Sequence, residues 1–441
     1  MSIAINSKFI QNGGNSASLP VKENVLLLDP MTRATDIGSA EQTTFDIPTS
    51  DAASGSFIDM QSSYLELTVV PVGSNTAKAR LNVAGIHGLI DSIDVESSNY
   101  VVEHSANWNR MYQTLADIHD TDEDRTGFKA YSQGLSGKRG ADSVTTGSDV
   151  ASLTTHTTVD IPERKGRELP EIDGNETGLK FCIPIPSQQL QNGRHVPVWA
   201  ISKLRYSITW AKALDALVTV SGNITGFKIN NPRLHLVYLE MSSKSREVIN
   251  SKSPLKWSHS IWESFKDNVV ETTKNQSFRY PSHKSSVKTL MATFHHANAS
   301  NKAAVDVDYC SRTNPDLVEY QYRINGIYHP QNPVDLTGGG IMGMTEVKRA
   351  FHSLTNNSGS QVTNSNYVDN DKDKAKSTFV IAVNTESNVG RSQSSYAGVS
   401  TLQEAPLLNC TFGTAVPTET LLCCHFDQMN VIENGIWKVS N

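Results

Sequence analysis

From Phe57 to His119 the apolar residues repeat first at every second position and then at every third or fourth, and few folds accept that order of periods. Leu65, Leu67 and Val69 share one side of an extended segment while Glu66 and Thr68 share the other, as a strand with one buried face requires. GLIDSIDVESS reads as a second strand with an acidic flank, and NYVVEHS as a short third. Trp108, Met111, Tyr112 and Leu115 then fall at the i, i+3, i+4, i+7 spacing of one compact helix. Nothing in the stretch has the residue types of a catalytic centre.

At 441 residues the chain exceeds one ordinary core, and two domains of roughly 200 residues each are expected. Hydrophobic residues make up 38%, enough for two cores only if strands alternate and leave half their side chains wet. Lys and Arg number 39 against 45 Asp and Glu, a net charge of −6, so a chain that wraps nucleic acid by itself is not indicated. MSIAINSKFIQNGGNSASLP lacks the apolar core of a signal peptide, and no window approaches a membrane span. The chain therefore reads as soluble and made in the cytosol. Its cysteines (Cys182, Cys310, Cys410, Cys423, Cys424) are odd in number and scattered, and are expected to stay reduced. The N-x-S/T triplets at Asn175, Asn223, Asn275, Asn298, Asn356 and Asn409 then read as by-products of an Asn/Ser/Thr-rich composition.

Strand patterns continue along the chain. Leu179, Phe181, Ile183 and Ile185 alternate with polar or small neighbours, as do Leu204, Tyr206, Ile208 and Trp210, and RLHLVYLEM (233–241) closes this first set. In the second half strands are expected over 287–294, 318–324, 378–384, 407–412 and 420–426. Asn434-Gly435 and Asn325-Gly326 supply the left-handed pair of a tight hairpin, and Asn192-Gly193 gives a weaker form of that signal. A second helix is expected over 345–354, with Val347, Phe351 and Leu354 on one face and Glu346 in its first turn. Residues 257–269 fit a helix through Trp257, Ile261, Phe265 and Val269, and equally a pair of strands. Long polar insertions occupy 119–158, 355–377 and 385–401. The polar segment 242–253 divides two blocks, each with several strands, one helix and more strands.

Several motifs invite chemistry. Gly338, Gly340 and Gly343 spell G-x-G-x-x-G before a helix, but the acidic residue of a dinucleotide site is missing downstream, where the chain reads NNSGSQVTNSN. A glycine loop leading into a helix is the better reading. The runs Asp120, Asp122, Asp124 and Asp369, Asp371, Asp373 open like calcium loops. They then place Arg125 and Lys374 where glycine is needed, and Tyr131 and Val380 where a bidentate Glu is needed, so solvated loops are expected. His295-His296 are adjacent and so face opposite sides of a strand, without zinc-spaced partners; Cys423-Cys424 read as a small apolar pair. No nucleophile elbow is present. Aromatic residues sit in alternating strands rather than among Arg and Lys, a core pattern and not a base-stacking one. Catalytic, cofactor-binding and metal residues are all expected to be none.

The order of these elements, with TTFDIPTSDAASGSFIDMQSSYLELTV, GLIDSIDVESSNYVVEHSANWNRMYQTL, FCIPIPSQQL and RLHLVYLEM early, and SHKSSVKTLMATF, EYQYRINGIYHPQNPV and EVKRAFHSL later, resembles the double jelly-roll major capsid proteins of small DNA viruses of the virophage and polinton-like kind. The resemblance covers 25–441; loops 119–158 and 355–401 have no counterpart in it. It implies an all-β chain of two tandem eight-stranded jelly rolls with a few short helices in loops. An arm at 1–24, a first jelly roll at 25–241, a linker at 242–253 and a second jelly roll at 254–441 follow. It implies a homotrimeric, pseudo-hexagonal capsomer of an icosahedral virion, assembled from protein synthesised in the host cytoplasm. The implied partners are copies of itself, penton and minor capsid proteins and an internal membrane, with no sequence-specific nucleic-acid binding and no cofactor. Two other classes compete. One is another trimeric viral β protein, a single jelly-roll capsid subunit or attachment protein. The other is a carbohydrate-binding protein or enzyme, which needs clustered carboxylates and exposed aromatics in a cleft.

Overall fold

The structure is a computed structural model that describes residues 21–49, 56–121, 124, 127–135, 166–172, 174, 176–241, 254–296, 308–337, 340–352, 367, 378–386 and 397–440. In the first half the chain forms β1 (Val21–Leu28), β2 (Ile37–Gly38), β3 (Gln42–Ile47), β4 (Ser56–Gly73), β5 (Lys78–Leu81), β6 (Ile90–Ser97), β7 (Tyr100–Ser105), helix α1 (Trp108–His119), β8 (Leu179–Pro184), β9 (Leu204–Trp210), β10 (Leu217–Ser221) and β11 (Ile224–Met241). In the second half it forms β12 (Leu255–Val269), β13 (Asn275–Arg279), β14 (Val287–His296), β15 (Leu317–Ile324), β16 (Ile327–Asp335), helix α2 (Ile341–Ala350), β17 (Ile381–Asn384), β18 (Leu407–Phe412), β19 (Thr418–Glu433) and β20 (Ile436–Ser440).

Pairing organises these strands into two barrels. The first half pairs β1-β11-β4-β8 in one sheet and β3-β9-β6-β7 in the other; the second pairs β12-β19-β14-β17 and β13-β18-β15-β16. When the eight principal strands of each half are counted in chain order, both halves read 1-8-3-6 and 2-7-4-5. That is the double-sheet jelly roll, twice over, with every pair antiparallel. β2 and β20 extend the sheets through β11 and β19, and β5 pairs β10 apart from them. In both barrels the helix falls between the fifth and sixth strands.

Inward residues close each barrel. Leu65, Leu67 and Val69 on β4 face Phe45, Tyr206 and Ile208 across the first core, all fully buried. Tyr206 keeps its hydroxyl satisfied by donating to the Pro186 carbonyl at 2.8 Å. The second core holds Leu290, Phe294, Tyr320, Tyr322 and Leu408, with the Tyr280 hydroxyl donating to Met291 O at 2.9 Å. Asn434 and Gly435 (φ 52° and 78°) and Asn325 and Gly326 (φ 50° and 76°) are left-handed pairs that join β19 to β20 and β15 to β16. At Asn192-Gly193 only Gly193 is left-handed (φ 77°), and no hairpin forms there.

Three expectations need correction. Residues 257–269 are one strand, part of β12, paired from Leu255↔Ile432 to Val269↔Thr418. A spacing of four satisfies both helical and strand periods, so the positions of Trp257, Ile261 and Phe265 could not decide between them. The second helix begins at Ile341, four residues early, and ends at Ala350. Gly343 lies inside it because an added Cβ would sit 2.4 Å from Leu336 Cδ2 and 2.6 Å from the Tyr367 hydroxyl. Close packing there outweighs glycine's poor helix propensity. Glu346 is mid-helix and pairs with Arg349 at 3.5 Å, not in the first turn. Residues 21–24, assigned to the arm, belong to β1. Residues 1–20, the linker 242–253, Leu354, much of the three polar insertions, and Asn175, Asn298 and Asn356 lie outside the described residues.

Substituting Leu67→Asp or Ile208→Asp puts a carboxylate without a cation into a fully buried position, and soluble protein should be lost on expression. Leu67→Ala should fold but unfold in urea with a stability loss of about 2–5 kcal/mol.

Candidate functional site: the joint between the barrels

The motifs singled out in the sequence do not converge. Gly340 (φ 69°) starts α2, Gly343 packs inside it, and Gly338 lies outside the described residues. Asp120 pairs with Lys129 at 2.6 Å and Asp124 accepts from the backbone N–H and hydroxyl of Thr121. Asp122 and the run Asp369, Asp371, Asp373 lie outside the described residues. His295 is buried, with Nδ1 3.0 Å from Ser311 O and Nε2 3.0 Å from Thr293 Oγ1. Cys423 and Cys424 are both fully buried and reduced, on β19. Among the described residues no group of three His, Cys, Asp or Glu side chains is placed to hold a metal ion.

What does converge is a polar joint where α1, the end of β7 and the turn at 185–190 meet the second barrel. α1 turns Trp108 and Met111 into the first barrel, where the Trp108 indole donates to His87 Nδ1 at 3.3 Å and Tyr112 stacks on the His87 ring. Its other face carries Arg110, Thr114 and Asp117, spaced four and three apart, and all are buried. Arg110 pairs with Glu419 on β19, donates to Tyr309 O at 3.1 Å and lies 3.8 Å over the Tyr309 ring. Arg312 donates to Asp117 at 2.6 Å, to Thr114 Oγ1 at 3.1 Å and to Thr378 O at 3.2 Å. The Arg312 and Asp117 side chains are 1% and 0% exposed, so their charges are met by each other, by these dipoles and, at Asp117, by the Gln113 amide donating at 2.8 Å.

Neutral contacts extend the joint along β12 and β19. Gln188 donates to Trp262 O at 2.9 Å and accepts from Trp262 N–H at 2.6 Å. Ser264 donates to Ala106 O at 2.7 Å, and Gln189 donates to Gln428. On the outer face of β12 and β19, Trp262 is stacked between His425 at 4.6 Å and Phe351 at 5.8 Å. At the far end, Gly435 O accepts from Ser202 N–H and Trp437 N–H donates to Ser97 Oγ. Sequence reasoning missed Arg110, Asp117, Arg312 and Glu419. The i, i+4, i+7 spacing of Arg110, Thr114 and Asp117 was present, but a charged helix face ordinarily reads as a wet one.

Burial decides the protonation of the joint's histidines. It pushes the His425 imidazole down to about 3, with Lys288 adding to the effect. It pushes His259 down to about 4, against the pull of the Gln188 carbonyl to which Nε2 donates at 3.0 Å.

Two barrels with one strand order, locked through buried polar contacts, define a double jelly roll. No family model matches the sequence, and no curated protein does. Among solved structures the fold is similar to double jelly-roll major capsid proteins. The Faustovirus major capsid protein matches with a TM-score of 0.61 at 10% identity, over 96% of this chain and 92% of that one. A chain of the PBCV-1 virus capsid matches with a TM-score of 0.59 at 11% identity, over 98% and 99%. A chain of the Sputnik virophage matches with a TM-score of 0.56 at 10% identity, over 99% and 92%. The resemblance read from the sequence therefore holds at the level of the fold.

Two tests address the joint. Arg312→Ala leaves Asp117 buried without its cation and should cost about 3–5 kcal/mol in urea unfolding, whereas Asp117→Leu with Arg312→Met should recover most of that loss. The second is pH. His259 and His425 titrate lower in the folded chain than their ordinary value of 6.5. The unfolded chain therefore binds more protons as pH falls below 6.5, and stability present above that value is lost on the way down to about 4. Each histidine contributes a slope of about 1.4 kcal/mol per pH unit in that window. Thermal melts across it should fall less steeply for His259→Gln than for the native chain.

Proposed function

We propose that this chain is the major capsid protein of a virus, a building block that acts through its surfaces and catalyses nothing. The observation that carries the reading is the coverage of the match: two joined barrels, over 96–98% of this chain, align with 92–99% of the length of viral capsid chains. In this reading three copies place six barrels around a pseudo-hexagonal ring, and such rings tile an icosahedral virion shell. Other copies of the chain are the first partners; penton and minor capsid proteins and an inner membrane layer follow. Sequence-specific nucleic-acid binding has no role, in keeping with the net charge of −6. Residues 1–20, which precede β1, carry only Lys8 as a basic residue, which suits an arm that contacts neighbouring protein or an inner layer better than one that condenses a genome.

Native mass spectrometry of the purified chain should give three times its 48.3 kDa mass, and negative-stain microscopy should show hexagonal rings or closed shells. A stable monomer at micromolar concentration would count against the reading, because obligate subunit contacts bury large surfaces. Deleting residues 2–20 should leave trimers intact while shells form poorly, and purified trimers should not bind random DNA in a strongly salt-dependent way.

A further inference from the structure

We infer that Asn192 is a self-modifying position: without an enzyme it loses its side-chain nitrogen as ammonia and leaves a carboxylate beside Arg194. Among the described residues three asparagines precede glycine, Asn192, Asn325 and Asn434. Asn325 and Asn434 form the left-handed corners of hairpins, which accounts for their sequence. Asn192-Gly193 joins no pair of strands, and the fold gives that dipeptide no such reason. An asparagine before glycine is chemically reactive, because no side chain shields the next backbone nitrogen from the side-chain amide carbon.

The turn brings the reacting groups together. Arg194 N–H donates to Asn192 Oδ1 at 2.9 Å, which folds the side-chain carbonyl over the Gly193 peptide and polarises it toward attack. A Cβ on Gly193 would meet nothing nearer than Gln61 Nε2 at 3.4 Å, so the turn has room to rearrange. No strand ladder pins residues 191–194. At the two hairpins the same reaction is opposed. The pairs Ile324↔Ile327 and Glu433↔Ile436 clamp the backbone on either side of the turns. The Asn325 amide also donates to Ser400 O at 2.6 Å, and Gly435 O accepts from Ser202 N–H at 2.7 Å.

In the first step the Gly193 nitrogen bonds to Asn192 Cγ, and Nδ2 leaves with the Gly193 proton as ammonia, closing a succinimide ring. Water from solvent then opens the ring, giving aspartate or its β-linked isomer, each with one new negative charge. That charge arises beside an uncompensated cation. Arg194 is half-buried, and burial holds its guanidinium below its usual value with no carboxylate acting against the effect. The same guanidinium opposes the charged form of His259 on β12, across the joint. A carboxylate at position 192 therefore neutralises Arg194 and makes a slow, irreversible change of charge at the edge of the joint.

The test follows the full native chain over days at neutral pH and body temperature, with peptide mass spectrometry reporting the mass gain of amide-to-acid conversion at each site. Asn192 should convert at least about tenfold faster than Asn325 and Asn434 in the folded chain. In concentrated urea, where every turn is lost, the three rates should converge. The product is then tested with Asn192→Asp, which should raise the melting temperature by about 1–2 °C. That gain should vanish when Arg194→Gln is added. Conversion of Asn192 no faster than at the hairpins, or a rate difference that survives in urea, would overturn the assignment of the site. A melting temperature that Asn192→Asp lowers or leaves unchanged, or raises equally with Arg194→Gln present, would overturn the pairing.

Discussion

Arg312 and Asp117 meet where water does not reach, and the geometry of the molecule follows from that requirement. Apolar contact alone is non-directional and would let two barrels slide or rock over one another. A guanidinium that must reach one carboxylate, one hydroxyl and one carbonyl at the same time has a single acceptable seat. Arg110, held between Glu419 and the Tyr309 ring, adds a second seat on the same helix. Two seats on one rigid element define an orientation, so the chain behaves as one body with two cores.

The same contact explains a peculiarity of the second barrel. Strand β19 has one face in the barrel core and the other under the joint, so Leu421, Leu422, Cys423 and Cys424 are buried in succession, without the alternation of a half-wet strand. Neighbouring β14 is buried the same way from Leu290 to His295. In β12 the covering is partial, and residues of both parities are half-buried.

These differences in covering also set how much could be read from the residues. Strands with one wet face, such as β4 and β9, were legible because alternation reports their burial directly, and the Asn-Gly hairpins were legible because their turn demands left-handed backbone. The architecture of two similar blocks followed from the order of those signals. The joint was not legible. Its partners lie far apart in the chain, Arg312 from Asp117 and Arg110 from Glu419, and nothing local distinguishes a charge that will be buried from one that will stay wet. Residues 257–269 were ambiguous because their apolar side chains fall at a spacing common to both periods, and α2 was misplaced because tertiary packing on Gly343 overrode local preference.

Strand β19 follows, in chain order, every strand it pairs with except β20, yet it lies between β12 and β14 and brings Glu419 to Arg110. As the chain leaves the ribosome, β12 and β14 therefore wait with open edges, and the helix of the first barrel waits with an unpaired cation. One late segment resolves all three at once. A chain truncated before Thr418 would keep its first barrel and most of its second but could complete neither the sheet nor the lock, and would present raw strand edges to any neighbour. Completion of the second barrel thus waits on β19, whose pairing closes the sheet and the lock in one step.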